Sequence, residues 1–393
     1  MSRPRALFVC HRLPFPPDKG DKIRSWRLLG LLRERYDVAL GAFVDDEADW
    51  KHERVLRAAC ADLLLLPLRP KVKLARAARS LPGGSLTASV YRDPRLSAWI
   101  AGQRGAGPAV EVAFSSAVAP SLFGGQAPLL LDMVDVDSAK WSAYAETERW
   151  PVSVPYGIEG RRLARLEADA TRRATATFLV TPEEADLARA LPGAAPDRID
   201  WWANGVDTDV FRPGAVPPAR GACDVVMTGA MDYRPNADAA VRLARDVLPL
   251  LRDARPGTTL ALVGARPVRR VERLADLPGV TVTGRVPDIR PWLLGAKVAA
   301  APLTVARGVQ NKVLEAMAAG LPIVASAGAA AGSGAEQGKH LLVADGPRET
   351  AEAILRILSD QGLAAELGTA SRALAERDFG WEARLQRFAR YLP

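Results

Sequence analysis

The sequence predicts an α/β protein made of two doubly wound halves, each a parallel sheet covered by helices. Short apolar runs alternate with amphipathic segments along nearly all of the 393 residues. Runs such as 38–44 and 129–134 are continuously apolar, which is typical of parallel strands buried on both faces. A polar, proline-rich stretch at 213–218 separates two regions with this alternation, and the length suits two domains of ordinary size.

The first half begins with a strand pattern and a polar loop, HRLPFPPDKGDK, at residues 11–22. Apolar residues then recur at helical spacing over 23–35, which predicts the first helix. Thr181-Pro182-Glu183-Glu184 predicts a later helix start, because a capping residue precedes a proline in the first turn. The predicted strands are 6–10, 38–44, 63–68, 110–114, 129–134, 177–180 and 199–203, and a long helix covers roughly 157–175.

The second half repeats this order and ends in alanine-rich helices. A short apolar helix carries Lys312 and Glu315, which share one helical face, and Gly320 ends it. Two such halves predict a ligand in the crevice between them, at the carboxyl ends of the strands. The predicted strands are 224–228, 259–263, 280–283, 298–301 and 323–325, and a helix covers 237–251.

The amino-acid composition indicates which partners the protein binds and in which cellular compartment it lies. The formal charge of +8 and the pI near 9.6 favour anionic partners such as nucleotides or phospholipid surfaces. No zinc-finger spacing or aromatic RNA-binding motif is present, so we expect no nucleic-acid partner. Three isolated cysteines and no run of about 18 apolar residues predict a cytoplasmic protein with reduced thiols.

A nicotinamide- or flavin-dependent enzyme is the obvious alternative for two doubly wound halves. It needs a glycine-rich phosphate turn after an early strand, with an acidic residue about 20 positions further on. The loop after residues 6–10 has one glycine, and Gly264-Ala265-Arg266-Pro267 has one as well. The sequence also lacks a Walker lysine motif. These observations argue against a nicotinamide- or flavin-dependent enzyme and against a P-loop protein.

Three segments together resemble glycosyltransferase family 4, a large retaining group with the GT-B fold. They are WANGVDTDVFRP (202–213), VTGRVPDIRPWL (282–293) and ARGVQNKVLEAMAAGLPIVAS (306–326). Together with the third segment, LFVCHRLPFPPDKGDKIRSW (7–26) and DMVDVDSAKWSAYA (132–145) resemble exopolysaccharide sugar transferases associated with the bacterial PEP-CTERM system. The resemblance spreads over nearly the whole chain.

The resemblance implies two facing Rossmann-like domains and a hexosyltransferase that retains anomeric configuration. Residues 1–195 would bind the acceptor, 196–375 the sugar nucleotide, and a last helix over 376–393 would return to the first domain. We expect a UDP- or GDP-sugar donor, a glycan or lipid-linked acceptor, no permanently bound cofactor and no metal. A GT-B nucleotide-sugar epimerase and a non-catalytic sugar-nucleotide-binding paralogue remain alternatives.

The helix with Lys312 is the main candidate donor site. A helix N-terminus preceded by glycine offers free N–H groups and a partial positive charge to a phosphate. Lys312 adds a full charge, and Glu315 matches the family glutamate that holds the ribose. An ordinary surface ion pair between the two is the structural alternative. The resemblance adds further donor-site candidates: Gly20, Gly229, Arg285, Val286, Gly308, Val309, Gln310 and Asn311.

Arg307 departs from the family pattern. It stands eight positions before Glu315, where the family places a sugar-binding glutamate. Basic residues usual after the first strand of the C-terminal domain are also missing at Gly229-Ala230-Met231-Asp232. We therefore expect Arg307 and Lys312 to clamp the diphosphate and to stabilise the leaving group.

The first half supplies His11 and Asp135 as candidate catalytic residues. His11 follows the first predicted strand, and Asp135 lies among three acids after a buried strand. Hydrogen-bonded structural roles are the alternatives for both. Asp21 is either a cleft residue or the N-cap of the first helix, and a capping role is equally open for Asp137. The cations Lys19, Lys22 and Arg24 either face solvent or meet phosphate.

Residues 69–81, RPKVKLARAARSL, combine basic and apolar positions. Such a segment predicts contact with an anionic membrane surface at the inner face of the plasma membrane. A solvated helix is the alternative.

Overall fold

The chain forms two units, each described here on its own. A computed structural model describes residues 3–17, 19–69, 76, 84–219, 223–306 and 309–393. The first unit comprises Met1–Ala203 with Leu385–Pro393, and the second comprises Asn204–Arg384. None of the described helices combines the length and the apolar character that a membrane-spanning helix needs.

A seven-stranded parallel sheet forms the centre of the first unit, in the order β3-β2-β1-β4-β5-β6-β7. The order reverses between β1 and β4, so the loops that follow these strands flank the switch point where ligands bind in such sheets. In chain order the strands are β1 (Arg5–Cys10), β2 (Asp37–Val44), β3 (Asp62–Pro67), β4 (Val110–Phe114), β5 (Leu129–Val134), β6 (Ala176–Leu179) and β7 (Ile199–Trp201).

Helices connect these strands and cover the sheet. Thr181 caps the last of them, since its hydroxyl accepts a hydrogen bond from the Glu184 N–H, as the Thr-Pro-Glu-Glu motif predicts. The helices are α1 (Gly20–Arg35), α2 (Glu53–Ala59), α3 (Leu86–Val90), α4 (Pro94–Gly105), α5 (Asp137–Thr147), α6 (Ser153–Arg173) and α7 (Pro182–Arg189).

The second unit has a six-stranded parallel sheet in the order β10-β9-β8-β11-β12-β13, and its order reverses between β8 and β11. The strands are β8 (Val225–Thr228), β9 (Leu260–Val263), β10 (Val280–Val282), β11 (Val298–Ala301), β12 (Ile323–Ala325) and β13 (Leu342–Val343). The helices are α8 (Arg234–Arg242), α9 (Leu248–Ala254), α10 (Arg269–Glu272), α11 (Arg290–Leu294), α12 (Asn311–Ala318), α13 (Ala327–Ala330), α14 (Pro347–Ser359) and α15 (Gln361–Asp378). A last helix, α16 (Trp381–Ala389), begins in the second unit, and its residues from Leu385 onward belong to the first.

Two helix predictions need correction. Helix α1 begins at Gly20 with Lys19 as its N-cap, so Asp21 lies in the first turn and the capping interpretation is wrong. The helix predicted over 237–251 is interrupted by a π-helical turn at Leu243–Val247. Pro249 follows this turn and has no N–H for the helical ladder, which accounts for the interruption. Strand β13 was not predicted, because two residues carry no periodic pattern.

Arg24 is the most deeply buried of the lysine and arginine side chains that the structure describes in the first unit. It is fully inaccessible to solvent, and its guanidinium makes two hydrogen bonds, of 2.9 and 3.1 Å, with the Asp132 carboxylate. A third hydrogen bond, of 2.7 Å, reaches the carbonyl of Trp202, whose ring lies 3.4 Å from the guanidinium carbon. Lys22 is likewise buried and pairs with Asp49 at 2.5 Å. Neither Lys22 nor Arg24 is therefore a solvated or phosphate-binding cation.

Asp132→Ala should lower the free energy of unfolding of the first unit by about 3–5 kcal/mol, because it leaves the Arg24 guanidinium buried without its counter-ion. Arg57→Ala is the control, since Arg57 belongs to an exposed pair with Glu53 and should cost under about 1 kcal/mol. Urea unfolding monitored by circular dichroism measures both. Equal costs for the two variants would contradict the structural role of the buried pair.

Candidate functional site

Two turns meet at the carboxyl edge of the second sheet. Gly229 follows β8 and has a φ of 148°, a conformation that side-chain-bearing residues rarely adopt. A Cβ added to Gly264, which follows β9, would lie 1.7 Å from the Gly229 carbonyl oxygen. The two backbones therefore approach more closely than any side chain allows. This contact fixes the turn that carries Gly229.

Helix α12 divides its residues between two environments. Val313, Leu314 and Met317 are buried in the unit, whereas Lys312 and Glu315 are only partly accessible and lie on another face. The N-cap residue, Gln310, has extended backbone and makes no side-chain capping bond. The first turn therefore keeps backbone N–H groups without a side-chain cap.

Lys312 is held by an amide rather than by a carboxylate. Its ammonium group donates a hydrogen bond to Oδ1 of Asn236, in the first turn of α8. The Asn236 amide nitrogen in turn donates to the carbonyl of Ala230 at 2.9 Å. A Cβ on Gly229 would lie 2.7 Å from the Asn236 amide nitrogen and 3.4 Å from the Lys312 ammonium. Gly229, Asn236 and Lys312 thus form one cluster.

Glu315 accepts no hydrogen bond from the described part of the chain, and no ion pair within 4.0 Å joins it to Lys312 there. Burial raises the pKa of Glu315 to about 7, although the charge of Lys312 opposes the rise. Burial also lowers the pKa of Lys312 to about 8, against the charge of Glu315. Both side chains are therefore partly desolvated without neutralising each other, and both can bind a polar ligand.

The other donor-site candidates do not all lie next to the Lys312 cluster. Val309 is buried, and Asn311 is the first residue of α12, where its side-chain oxygen accepts a 3.1 Å hydrogen bond from Asn204. Arg285 and Val286 follow β10, the edge strand, which β9 separates from β8, so they lie at another part of this edge. Arg307 and Gly308 lie outside the described residues, and the role of both stays a prediction.

A second polar cluster lies at the carboxyl ends of β1 and β2 in the first unit. Arg12 pairs with Asp21 at 2.5 Å and with Asp45 at 3.0 Å. Nε2 of His11 lies 3.5 Å from the Asp21 carboxylate, and its Nδ1 lies 3.3 Å from the carbonyl of Phe114. Burial alone would raise the pKa of Asp21, but the His11 hydrogen bond and the Arg12 charge hold it well below its usual range.

Gly20 and Asp135 belong to different elements of the first unit. Gly20 is the first residue of α1, and Asp135 follows β5. Asp135 pairs with Lys140 at 2.6 Å, and Lys140 also contacts Asp137 at 3.1 Å. Asp137 makes no capping bond to α5, so the capping interpretation is wrong. The described residues contain no cluster of acidic, histidine and cysteine side chains that could hold a metal ion.

Residues 222–360 match the family described as glycosyl transferases group 1. This match supports the family that the sequence motifs predict, for the segment that carries the Lys312 cluster. The D-inositol 3-phosphate glycosyltransferase of Acidothermus cellulolyticus is 32% identical over 275 residues, which are 65% of this chain and 59% of that protein. The chain thus spans somewhat over half the length of the curated relatives that it matches first.

A mannosyltransferase and a solved structure extend the comparison. The GDP-mannose-dependent alpha-(1-6)-phosphatidylinositol monomannoside mannosyltransferase of Mycobacterium tuberculosis is 28% identical, over 55% of this chain and 60% of that protein. The crystal structure of Anabaena Alr3699/HepE in complex with UDP and glucose superposes with a TM-score of 0.69 over 99% of each chain, at 17% identity. The predicted α/β class and GT-B fold are therefore confirmed.

Sequence reasoning missed residues that hold the predicted ones. Asn236 binds Lys312 from a helix 76 positions earlier in the chain. Arg12 organises Asp21 and Asp45, and Lys140 neutralises Asp135. A signal for Asn236 was present, because it lies in the first turn of the helix after β8, at the same sheet edge. The position of Arg12 directly after His11 was a comparable signal.

Gly264→Ala should destabilise the second unit, because the new Cβ would overlap the backbone oxygen of Gly229. It should also weaken the binding of any ligand that contacts the Gly229 turn. We expect a loss of about 1–3 kcal/mol, typical of overpacking. Gly30→Ala is the control: Gly30 lies inside α1, a Cβ there meets nothing within 4 Å, and the helix should be unchanged or more stable. Urea unfolding compares the variants, and a neutral Gly264→Ala would argue against the close approach.

Proposed function

We propose that this protein is a retaining hexosyltransferase that moves a sugar from a nucleotide-sugar donor to a glycan or lipid-linked acceptor. The observation that carries the proposal is the hydrogen bond of Lys312 to a neutral amide, next to Glu315, which accepts no hydrogen bond from any residue that the structure describes. Both lie on α12, in the segment that matches group 1 glycosyltransferases. A cation and an anion that do not satisfy each other suit a ligand with a phosphate and neighbouring hydroxyl groups.

Donor binding divides between the two side chains. Lys312 places its positive charge at the carboxyl edge of the sheet, next to the Gly229 turn, where a diphosphate can approach the backbone closely. Glu315 lies one turn deeper on the same helix, and an ionised carboxylate accepts hydrogen bonds from both hydroxyls of a ribose. Val309, Gln310 and Asn311 would contribute backbone around the phosphates, and Arg285 with Val286 would border the base.

Catalysis requires that the nucleoside diphosphate leave as an acceptor hydroxyl attacks the anomeric carbon. Lys312 stabilises the negative charge that develops on the leaving oxygen, and the sequence places Arg307 to do the same. The leaving phosphate itself can take the acceptor proton. His11 and Asp135 are the proposed residues on the acceptor side, where Asp21 and Lys140 orient them.

The biological setting is a finer proposal. The resemblance of residues 7–26, 132–145 and 306–326 to PEP-CTERM-associated transferases favours exopolysaccharide or cell-surface glycan assembly in the cytoplasm. The relatives include a D-inositol 3-phosphate glycosyltransferase and a GDP-mannose-dependent mannosyltransferase, and a solved structure of similar fold holds UDP and glucose. A UDP- or GDP-sugar donor is therefore the first choice for assay.

Nucleoside diphosphates and sugar nucleotides should raise the melting temperature of the protein, and Lys312→Met should weaken their binding by roughly 10- to 100-fold. The reason is the loss of a charge-assisted hydrogen bond, worth about 1.5–3 kcal/mol. Lys339→Met is the matched control, because Lys339 belongs to the same unit but is exposed and pairs with Glu336. No shift with any nucleotide, or equal effects of the two variants, would overturn the donor site.

Release of nucleoside diphosphate from the bound donor separates the candidate activities. Release that depends on an added acceptor supports transfer. Release without acceptor favours epimerase-like chemistry. Binding without release favours a non-catalytic paralogue, an alternative suggested by Arg307 at the usual glutamate position.

Nucleoside diphosphate affinity should be greatest between about pH 7 and 8. Below this window Glu315, whose pKa is raised to about 7, takes up a proton and loses acceptor capacity. Above it Lys312, whose pKa is lowered to about 8, loses its charge. Well outside the window, affinity should fall by up to about tenfold per pH unit.

Calorimetric titrations of the wild type and of Glu315→Gln isolate the acidic limb. The nucleotide's own phosphate ionises with a pKa of about 6 and affects both proteins equally. The difference between the two profiles therefore reports Glu315. Identical acidic limbs would show that Glu315 does not contact the nucleotide.

A further inference from the structure

Exposed apolar side chains are concentrated in one short stretch of the first unit, the connection between α5 and α6. We call residues 144–158 the hairpin tip. Trp150 lies at its centre and is 81% exposed, the highest value among the large apolar side chains described as exposed. The exposed apolar residues of the tip are Tyr144 (38%), Trp150, Val152 (48%), Val154 (47%) and Ile158 (37%).

The hairpin tip rests on a packed aromatic base. The rings of Trp141 and Tyr156 lie 5.4 Å apart, and those of Tyr144 and Tyr156 lie 6.1 Å apart. Helices α5 and α6 also share the buried Ser138–Glu167 hydrogen bond at 2.5 Å. The apolar side chains of the tip are therefore presented by a supported helical hairpin, although they do not themselves enter the core.

Basic side chains follow the apolar ones along α6. Val154, Ile158, Arg161 and Arg165 succeed one another at spacings of three or four, so they lie along one face of the helix. Ile158, Arg161 and Arg165 are exposed, as is Arg149 beside Trp150. Glu146 and Glu148 supply opposing charge from the α5 side of the tip. The exposed apolar residues thus lie at the end of the hairpin, and Arg161 and Arg165 follow them along α6. We call these two arginines the basic collar.

We propose that the hairpin tip binds the surface of an anionic lipid bilayer. Trp150, Val152 and Val154 would enter the headgroup region, where an amphipathic tryptophan ring is favourable. Arg161 and Arg165 would then meet lipid phosphates, with each basic group near such a surface contributing about 1 kcal/mol. A second copy of this chain is a poorer occupant, because self-association would bring two basic collars together.

This inference concerns the first unit and does not depend on the proposed sugar transfer. It also differs from the sequence-based membrane prediction for residues 69–81. Arg69 and Arg76 are the two residues of that segment that the structure describes. Arg76 pairs with Asp93 and donates a hydrogen bond to the Val90 carbonyl, so it is engaged within the unit.

Cosedimentation of the full chain with phosphatidylcholine vesicles, with and without phosphatidylglycerol, tests the proposal. The wild type should sediment with the anionic vesicles at low salt. Trp150→Ala should weaken this partitioning about tenfold, because it removes a large apolar side chain from the interface. Arg161→Glu/Arg165→Glu should remove the preference for anionic over neutral vesicles.

Matched exposed positions provide the controls. Leu187→Ala removes an apolar side chain that is 45% exposed on α7, and Arg245→Glu reverses an exposed charge in the second unit. Both should partition like the wild type. All variants should keep the wild-type melting temperature and its nucleotide-induced shift, so a failure of the donor site remains distinguishable from a failure of the membrane surface.

Several results would overturn the proposal. One is the absence of sedimentation with anionic vesicles, and another is wild-type partitioning by both hairpin-tip variants. Loss of partitioning only in Lys71→Glu/Lys73→Glu would assign the binding to the basic segment instead. A change in oligomeric state of Trp150→Ala without lipid, measured by light scattering, would assign the tip to contact between copies.

Discussion

Parallel pairing brings the end of every strand to one edge of its sheet, and both polar clusters of this protein depend on that constraint. In the second unit the Gly229 and Gly264 turns meet there so closely that a Cβ would collide with backbone. The same edge receives the first turns of α8 and α12, which brings Asn236 to Lys312. Residues far apart in the chain thus converge without a dedicated binding loop.

Buried cations have different partners in the two units. In the first unit the cations have carboxylate partners: Arg24 has Asp132, Lys22 has Asp49, and Arg12 has two aspartates. Within the described part of the second unit, the ammonium of Lys312 has a neutral amide as its hydrogen-bond partner, and Glu315 accepts no hydrogen bond. An anionic ligand at Lys312 would therefore gain electrostatic energy without first separating an ion pair, whereas a ligand at Arg12 would compete with Asp21 and Asp45.

Periodicity predicted the alternating order of the fold well, since β4, β5, β11 and β12 have their predicted bounds. Continuous apolar runs are informative because a strand buried on both faces tolerates few polar residues. The partners of buried charges were not predictable in this way. Arg24 resembles a surface residue of an amphipathic helix, and the sequence contains no sign that Asp132, 108 positions away, neutralises it. Asn236 is different, because its place in the first turn of the helix after β8 was a signal that it lies at the same sheet edge as Lys312.

Glu315 and Lys312 also differ from an ordinary surface ion pair because both side chains are partly desolvated. Desolvation favours the neutral form of each side chain, since burial raises the pKa of Glu315 and lowers the pKa of Lys312. The packing of Val313, Leu314 and Met317 keeps α12 in place despite this cost. A ligand that offers a phosphate to Lys312 and hydroxyl groups to Glu315 would restore hydrogen bonds to both and favour their charged forms. Binding of such a ligand would therefore be coupled to proton binding at this helix, and a neutral or purely cationic ligand would lack that gain.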